Sequence, residues 1–202
     1  MSAPDIRRRR SQSTKLVVTG PFDAGKTTFI KTVSDTTVLS TERNVTGPGT
    51  AGTSGGTTVA MDFGRIGVEP DLALFLFGTP GQERFDFMWD ILAEGMLGFV
   101  LIVDASRPTT LEESAQLRRR FTAATTEVPH VVAINKADPQ QDHAALITRV
   151  REELGLSDQV PVLVADVRER DDVHRVLLAF LRDVLDRVRG SSHQLSSVGG
   201  MS

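Results

Sequence analysis

The chain contains no cysteine, and this absence excludes disulfide bonds as well as the attachment of a prenyl or palmitoyl group. Ser2 stands where N-myristoylation would require a glycine. No apolar run is long enough to span a bilayer, and the N-terminus lacks the pattern of a signal peptide. We therefore expect a cytoplasmic protein without a lipid anchor or a membrane-spanning segment, for which any recruitment to a membrane would go through partners.

Positive charge is concentrated in one short stretch. Residues 1–13 hold four consecutive arginines (7–10) and one aspartate, which contribute +3 to the formal net charge of −3, so the remainder carries −6. The acidic remainder does not indicate a DNA- or RNA-binding protein, and the basic stretch is typical of a disordered leader. Residues 190–202 are rich in Ser and Gly and are also predicted to be disordered. Residues 14–189 are long enough to form one domain with a full hydrophobic core.

Between these tails, apolar segments of strand length alternate with segments of helix length. Strands are predicted at residues 15–19, 58–65, 72–77, 98–104, 130–135 and 160–164. Helices are predicted at residues 26–33, 85–94, 110–125, 141–154 and 171–188. Residues 72–77 and 99–103 are continuously apolar, which is typical of strands buried on both faces. The alternation predicts an α/β fold with a mostly parallel six-stranded sheet and helices on both faces.

A phosphate-binding pattern, G-x-x-x-x-G-K-[ST], is matched by Gly-Pro-Phe-Asp-Ala-Gly-Lys-Thr at residues 20–27. The pattern lies between a predicted strand and a predicted helix, where backbone amides of the loop can point at an anion. Lys26 would add a cation for the outer phosphates, and the Thr27 hydroxyl would ligate Mg²⁺. The residues predicted to contact a nucleoside triphosphate here are Asp23, Ala24, Gly25, Lys26, Thr27 and Thr28.

A second motif, Asn135-Lys136-Ala137-Asp138, follows a continuously apolar predicted strand. A buried carboxylate at the end of such a strand accepts hydrogen bonds from both the ring N–H and the exocyclic amine of guanine. Adenine has the opposite donor pattern and would leave the carboxylate unpaired, at a cost of roughly 1–3 kcal/mol or more. Asp138 is therefore the predicted guanine selector, Asn135 would join this loop to the phosphate loop, and the Lys136 stem would cover the base. Alone, such a segment is more often a surface turn, and the matched phosphate loop before it is what favours a base pocket.

With these two motifs, residues 14–189 resemble a Ras-like small GTPase, which has a three-layer P-loop NTPase fold. Residues 57–64 and 77–82 are most similar to the bacterial branch that includes the MglA polarity GTPases and the actinobacterial conservon GTPases. The resemblance implies a signalling or polarity switch that binds GTP or GDP with Mg²⁺ and hydrolyses GTP slowly. It also implies a roadblock-type regulator that binds the switch regions and activates hydrolysis.

The resemblance places switch I, the segment that responds to the γ-phosphate, in the irregular Gly-, Ser- and Thr-rich stretch 35–56. It implies that Thr58 is a metal ligand, with Thr57 as the alternative one residue earlier. Arg43 is the internal candidate for an arginine that stabilises the transition state, although an exposed loop arginine is more often simply solvated. A flexible connecting loop is the plainer interpretation of this composition.

The second switch departs from the family pattern. Small GTPases usually carry D-x-x-G after the third strand, with the aspartate holding Mg²⁺ through water, whereas this chain has Gly-Thr-Pro-Gly from Gly78. The MglA-like branch resembles the chain in lacking this carboxylate. Asp62 on a neighbouring strand is one candidate replacement, and a purely structural aspartate is an equal alternative. The Gly81 amide would donate to the γ-phosphate, and Gln82 would orient the attacking water as the main catalytic side chain.

Two further departures concern the nucleotide pocket. Asp23 places an acidic side chain near the phosphates, which is unfavourable unless that side chain points away. The loop after the last strand reads Asp-Val-Arg at residues 166–168 where the family has Ser-Ala-Lys. The resemblance implies that the Val167 N–H faces the guanine oxygen and that Arg168 covers the base edge.

A partner-binding surface is predicted beside Gln82, because Phe85, Phe87, Met88 and Trp89 cannot all face inward on one helix. Two other functions compete with a GTP-hydrolysing switch. A P-loop kinase would need an arginine-bearing lid, and the arginines at 118–120 are poorly placed for one. A non-hydrolysing GTP-dependent scaffold is the stronger alternative, because Gly78 removes a metal-holding carboxylate.

Overall fold

The computed structural model describes residues 12–36, 39–45, 57–69, 72–80, 91–123 and 128–198. The strands are β1 (Gln12–Thr19), β2 (Leu39–Val45), β3 (Thr57–Glu69), β4 (Leu72–Gly78), β5 (Met96–Asp104), β6 (His130–Asn135) and β7 (Val162–Val164). The helices are α1 (Lys26–Val33), α2 (Thr110–Ala123), α3 (His143–Leu154) and α4 (Arg170–Val198). The predicted α/β fold is confirmed, and all six predicted strands are present.

The strands form one sheet in the order β2-β3-β4-β1-β5-β6-β7. β1 lies between β4 and β5 and runs parallel to both, and β5, β6 and β7 continue the parallel part. The pairs β2–β3 and β3–β4 are antiparallel. The carboxyl ends of β1, β4, β5 and β6 therefore meet at one edge of the sheet, which is where open α/β sheets bind ligands.

Helices cover both faces of the sheet because the central strands are apolar on both sides. In β5, Val100 and Ile102 belong to the core cluster that includes side chains of α1 and α4. Phe99, Leu101 and Val103 belong to a second cluster with side chains of α2 and α3. All five side chains are fully buried. The continuous apolar run in the sequence is thus explained by burial on two faces.

Among the described residues the sheet has seven strands, one more than the six predicted. The seventh, β2, lies within the stretch 35–56 that the sequence predicted to be irregular, and it pairs with β3 alone. Its sequence, LSTERNV, is mostly polar. A polar segment can form a strand at the edge of a sheet, because main-chain hydrogen bonds to the neighbouring strand hold it without an alternation of apolar side chains. The polar composition of β2 therefore gave no sign of a strand, which forms through main-chain pairing with β3.

The helix boundaries have local causes. α3 begins after Asp142, whose carboxylate accepts hydrogen bonds from the amides of Ala144 and Ala145, and it ends at Gly155 in a left-handed conformation. α4 continues to Val198, past residue 189 where the sequence predicted the domain to end, because extending a packed helix fixes only one residue for each hydrogen bond gained.

The remaining predicted boundaries lie at the margins of the described ranges. β1 begins at residue 12, inside the predicted leader. Of the predicted helix 85–94, residues 91–93 are helical, and 85–90 lie outside the described residues. In the described part of the chain, every helix is too short or too polar to cross a membrane.

Candidate functional site

The loop at residues 20–25 connects the end of β1 to α1 and passes close to two neighbouring elements. Gly20 has a φ of 151°, and a Cβ there would overlap the carbonyl oxygen of Ile102 in β5. Gly25 has a φ of 112°, and a Cβ there would lie 2.6 Å from Nδ2 of Asn135. Only glycine suits both positions, because each combines a left-handed backbone with a close contact.

Lys26 opens α1 and turns its side chain back over this loop. Its Nζ donates to the carbonyl oxygens of Gly20 at 2.8 Å and Pro21 at 2.7 Å. Burial lowers the pKa of Lys26 to about 8, against the opposing effect of the carboxylates of Glu113, Asp62 and Asp23. A buried ammonium group beside the amino end of a helix makes this loop a site for an anion.

Thr27 contacts the neighbouring strand β3. Its hydroxyl donates a hydrogen bond to Oδ2 of Asp62. Gly78 ends β4 next to this pair, and a Cβ on Gly78 would lie 3.2 Å from Cβ of Asp62. A hydroxyl and a carboxylate are oxygen ligands of the kind that Mg²⁺ prefers, so Thr27 and Asp62 fit a magnesium ion bound together with phosphates.

Asn135 joins the base-recognition loop to the phosphate loop. Its Nδ2 donates to the carbonyl oxygen of Ala24 at 2.9 Å, and its Oδ1 accepts from the amide of Val167 at 3.3 Å. The side chain is buried, so both hydrogen bonds are shielded from water. The Val167 N–H, which the sequence assigned to the guanine oxygen, thus has a protein partner in this structure.

Lys136 makes the second connection between the two loops. Its Nζ donates to the backbone oxygen of Asp23 at 2.7 Å and to Oδ2 of the same residue at 3.1 Å. Both residues have left-handed backbones, with φ values of 57° and 63°. The Asp23 carboxylate therefore faces the Lys136 ammonium group, which answers the charge concern raised by the sequence.

Asp104, at the end of β5, accepts hydrogen bonds from the base loop and from the turn that follows its own strand. Its carboxylate accepts from Nζ of Lys136 at 3.0 Å, from Nε of Arg107 at 3.0 Å, and from the amide and hydroxyl of Ser106. Arg107 in turn donates to the backbone oxygen of Phe22 at 2.6 Å. Burial raises the pKa of Asp104, but the hydrogen bonds from Ser106, Lys136 and Arg107 outweigh it and hold the pKa below its usual value.

The sequence missed Asp104 and Arg107. A signal for Asp104 was present, because it ends a continuously apolar strand in the same way as Asn135 ends its own. The parallel pairing of β5 and β6 places these two residues side by side. Arg107 offered no comparable signal, since it lies in a turn after the strand.

A cleft of about 560 Å³ opens beside the two loops. It is lined by Asp23, Gly25, Thr28, Asn135, Lys136, Ala137, Pro139, His143, Val164, Ala165, Asp166, Val167, Arg168 and Asp172. Asp138 lies between two lining residues, is exposed rather than buried, and accepts a hydrogen bond from the amide of Gln140 at 2.8 Å. Arg168 lies at the rim, where its guanidinium pairs with Asp166 at 2.6 Å.

Several predicted site residues lie outside what the structure describes. Gly81, Gln82 and the aromatic segment at 85–89 lie outside the described residues. The backbones of Arg43, Thr57 and Thr58 lie in β2 and β3, and their side chains are outside the described part. The site that can be described therefore consists of the phosphate loop, the Asp62 strand, the base loop and the loop after β7.

Residues 41–187 match a protein family described as “Conserved hypothetical ATP binding protein”. The chain belongs to this family. An uncharacterized protein of Methanocaldococcus jannaschii is 30% identical over 64% of this chain and 73% of its own length.

More distant relatives connect this ATP-binding-protein family member with GTPases. The Ras-related protein RAB1BV of Beta vulgaris is 24% identical over 95% of this chain and 86% of its own length. Translation initiation factor IF-2 of Rickettsia bellii is 32% identical over 72% of this chain, although the match spans only 16% of the factor. The family member is thus a nucleotide-binding, GTPase-like protein of the P-loop GTPase superfamily.

Proposed function

We propose that this family member is a molecular switch that binds GTP or GDP with Mg²⁺, hydrolyses GTP slowly, and is regulated by a partner protein. The connection between its two loops carries the proposal, because Asn135 and Lys136 hold the base loop against Ala24 and Asp23 of the phosphate loop. Such a connection sets the distance between a base and its phosphates. The proposed setting is a bacterial signalling or polarity system of the MglA and conservon kind, with a roadblock-type regulator.

The base is the first point to test, because the family is described as ATP-binding. Asp138 would accept from the ring N–H and the amine of guanine, whereas a bound adenine would displace water from this exposed carboxylate without donating to it. We expect GDP to bind about 10- to 100-fold more tightly than ADP, which corresponds to roughly 1–3 kcal/mol. Competition of each nucleotide against a fluorescent GDP analogue, mant-GDP, measures this ratio.

Asp138→Asn tests the same contact from the protein side. Its amide can donate to the C2 carbonyl of xanthine, so the variant should prefer xanthosine diphosphate to GDP. Asp142→Asn is the matched control, because Asp142 is also exposed, lies four residues further on, and is replaced without losing its helix cap. Equal or tighter ADP binding by the wild-type chain would contradict guanine selection.

The proposed hydrolysis uses Gln82 to orient water, the Gly81 amide at the γ-phosphate, and Thr27 with Thr58 as metal ligands. Val167 and Arg168 would complete the base pocket, for which the Val167 N–H must change its partner from Asn135. Single-turnover GTP hydrolysis, with and without a roadblock partner, is the measurement. We expect slow intrinsic turnover, stimulation by the partner, and loss of that stimulation in Gln82→Ala. Unchanged stimulated turnover in Gln82→Ala would remove Gln82 as the catalytic side chain.

One observation favours a second candidate, a GTP-dependent scaffold that does not hydrolyse the nucleotide. β4 ends in Gly78, so no carboxylate comes from the position where small GTPases carry one. GTP that stays intact through many partner-binding cycles would favour the scaffold. Turnover stimulated by the partner would exclude it.

A further inference from the structure

β4 ends in a glycine, and the side chain of an aspartate inside β3 lies beside it. Gly78 pairs with Val18 of β1, two residues before the phosphate loop begins. β3 runs antiparallel to β4 and brings Asp62 to the same place. A Cβ on Gly78 would lie 3.2 Å from Cβ and 3.5 Å from Oδ2 of Asp62. The Asp62 carboxylate thus lies beside the position that a side chain at residue 78 would take.

The contact with Thr27 shows what this carboxylate does to the phosphate loop. A threonine hydroxyl has one proton to donate and two lone pairs that accept. The Thr27 hydroxyl donates its hydrogen bond to Asp62, so its two lone pairs point away from Asp62. A cation can be bound only by lone pairs, so a carboxylate acceptor prepares Thr27 to act as a metal ligand.

We propose that Asp62 replaces the missing carboxylate at residue 78 and holds the Mg²⁺ of the bound nucleotide, by orienting Thr27 and by accepting a hydrogen bond from metal-bound water. This inference rests on the proposed function, since it requires a nucleotide with its metal. Glycine at residue 78 suits this arrangement, because a Cβ there would press on Cδ1 of Ile30 at 3.1 Å and on Cβ of Asp62 at 3.2 Å. The site thereby keeps the negative charge that small GTPases usually have there, but the carboxylate comes from β3 instead of β4.

The experiment measures how strongly Mg²⁺ retains the nucleotide. The dissociation rate of mant-GDP is measured with excess Mg²⁺ and with EDTA, and the ratio of the two rates reports metal-dependent retention. We expect Asp62→Ala and Asp62→Asn to reduce this ratio by about 10- to 100-fold, as is usual when a residue supporting a metal ligand is lost. Asp35→Asn is the matched control, because Asp35 also accepts a hydrogen bond from β3, at Gly67, but does not contact the phosphate loop.

A charge relocation distinguishes metal retention from simple support of Thr27. Asp62→Ala combined with Gly78→Asp returns a carboxylate to the site from β4, and it should restore at least half of the lost effect on a logarithmic scale. Gly78 has no left-handed backbone, so the substitution introduces no backbone strain, and removal of the Asp62 carboxylate leaves space for the new one. Cδ1 of Ile30 at 3.1 Å and the Cβ retained at position 62 at 3.2 Å must each shift by a few tenths of an ångström. Gly78→Asp alone should weaken retention by crowding Asp62. Thermal unfolding of each variant without nucleotide checks that the fold is intact.

The outcomes separate this inference from the proposed function. If wild-type protein releases mant-GDP in a Mg²⁺-dependent manner and both Asp62 variants do the same, the inference is wrong and the proposed function stands. If mant-ADP binds in place of mant-GDP, the guanine proposal fails, and the same ratio measured with mant-ADP still decides the role of Asp62. If the wild-type chain binds neither analogue, both fail together.

Discussion

Asp23 of the phosphate loop and Asp104 at the end of β5 both pair with Lys136, but the two carboxylates differ in burial. Lys136 Nζ lies 3.0 Å from Oδ2 of Asp104 and 3.1 Å from Oδ2 of Asp23. The Asp104 side chain is 0% exposed, whereas that of Asp23 is 67% exposed. We therefore predict that Asp104→Ala destabilises the protein strongly and that Asp23→Ala does not.

The magnitude follows from what each substitution leaves behind. Removing Asp104 deprives Lys136, Arg107 and Ser106 of an acceptor, and breaking such a buried pair costs about 3–5 kcal/mol when the partner stays buried. Lys136 and Arg107 are 35% and 41% exposed, so water can replace part of the lost contact. We expect a loss of about 2–3 kcal/mol in the free energy of unfolding for Asp104→Ala. For Asp23→Ala we expect less than about 1 kcal/mol, as for exposed ion pairs.

Urea denaturation followed by circular dichroism measures both values. Thermal unfolding should show a midpoint lower by about 5–10 °C for Asp104→Ala, for a domain of this size. Equal losses in the two variants would refute the argument from burial. A loss below about 1 kcal/mol for Asp104→Ala would show that the carboxylate is not a major acceptor in this cluster.

The same carboxylate predicts a pH dependence. The pKa of Asp104 is lower in the folded protein than in the unfolded chain, so its stabilising effect is present above the unfolded value of about 3.9 and is lost as the pH falls through the folded value. The difference in unfolding free energy between wild type and Asp104→Asn should therefore be constant near neutral pH and shrink below about pH 4. A difference that grows on acidification would contradict this sign.

Asn135→Ala should destabilise the protein by about 1–3 kcal/mol and speed the release of mant-GDP, because the amide of Val167 and the carbonyl of Ala24 lose a buried partner; unchanged release would mean that the two loops are held together without it. Gly25→Ala should cost more stability than Gly155→Ala in urea denaturation. Both glycines have left-handed backbones, but an added Cβ meets Nδ2 of Asn135 at 2.6 Å in the first and nothing within 4 Å in the second. Equal losses would show that backbone strain alone sets the cost.

The parts of the site that lie in contiguous sequence could be predicted. The phosphate loop is a run of eight positions whose glycines, lysine and threonine have local reasons for their identity, and the structure places it between β1 and α1. The base loop follows a buried strand, and the alternation of elements was enough to predict that both loops lie at the same edge of a parallel sheet. Local pattern and sheet geometry together therefore predicted that the two loops lie next to each other.

Contacts that depend on strand register could not be predicted in the same way. Asp62 reaches Thr27 only because β3 is antiparallel to β4, with Phe63 opposite Phe77. A shift by one residue would turn Asp62 to the other face of the sheet, and the sequence does not fix that register. The exposure of Asp138 could not be predicted either, because Asp138 follows the strand in a loop, where its carboxylate accepts a hydrogen bond from the amide of Gln140.

The left-handed backbones of Asp23 and Lys136 have a consequence for how the ligand is bound. A left-handed conformation costs a residue other than glycine about 1–2 kcal/mol, and Lys136 donates hydrogen bonds to Asp23 across the junction of the two loops. Each loop thus keeps its costly shape only while the other is in place. The two loops are already joined without a ligand, so under the proposed function a nucleotide would meet both halves of its site formed together, and a substitution that releases one loop would loosen the other half of the site as well.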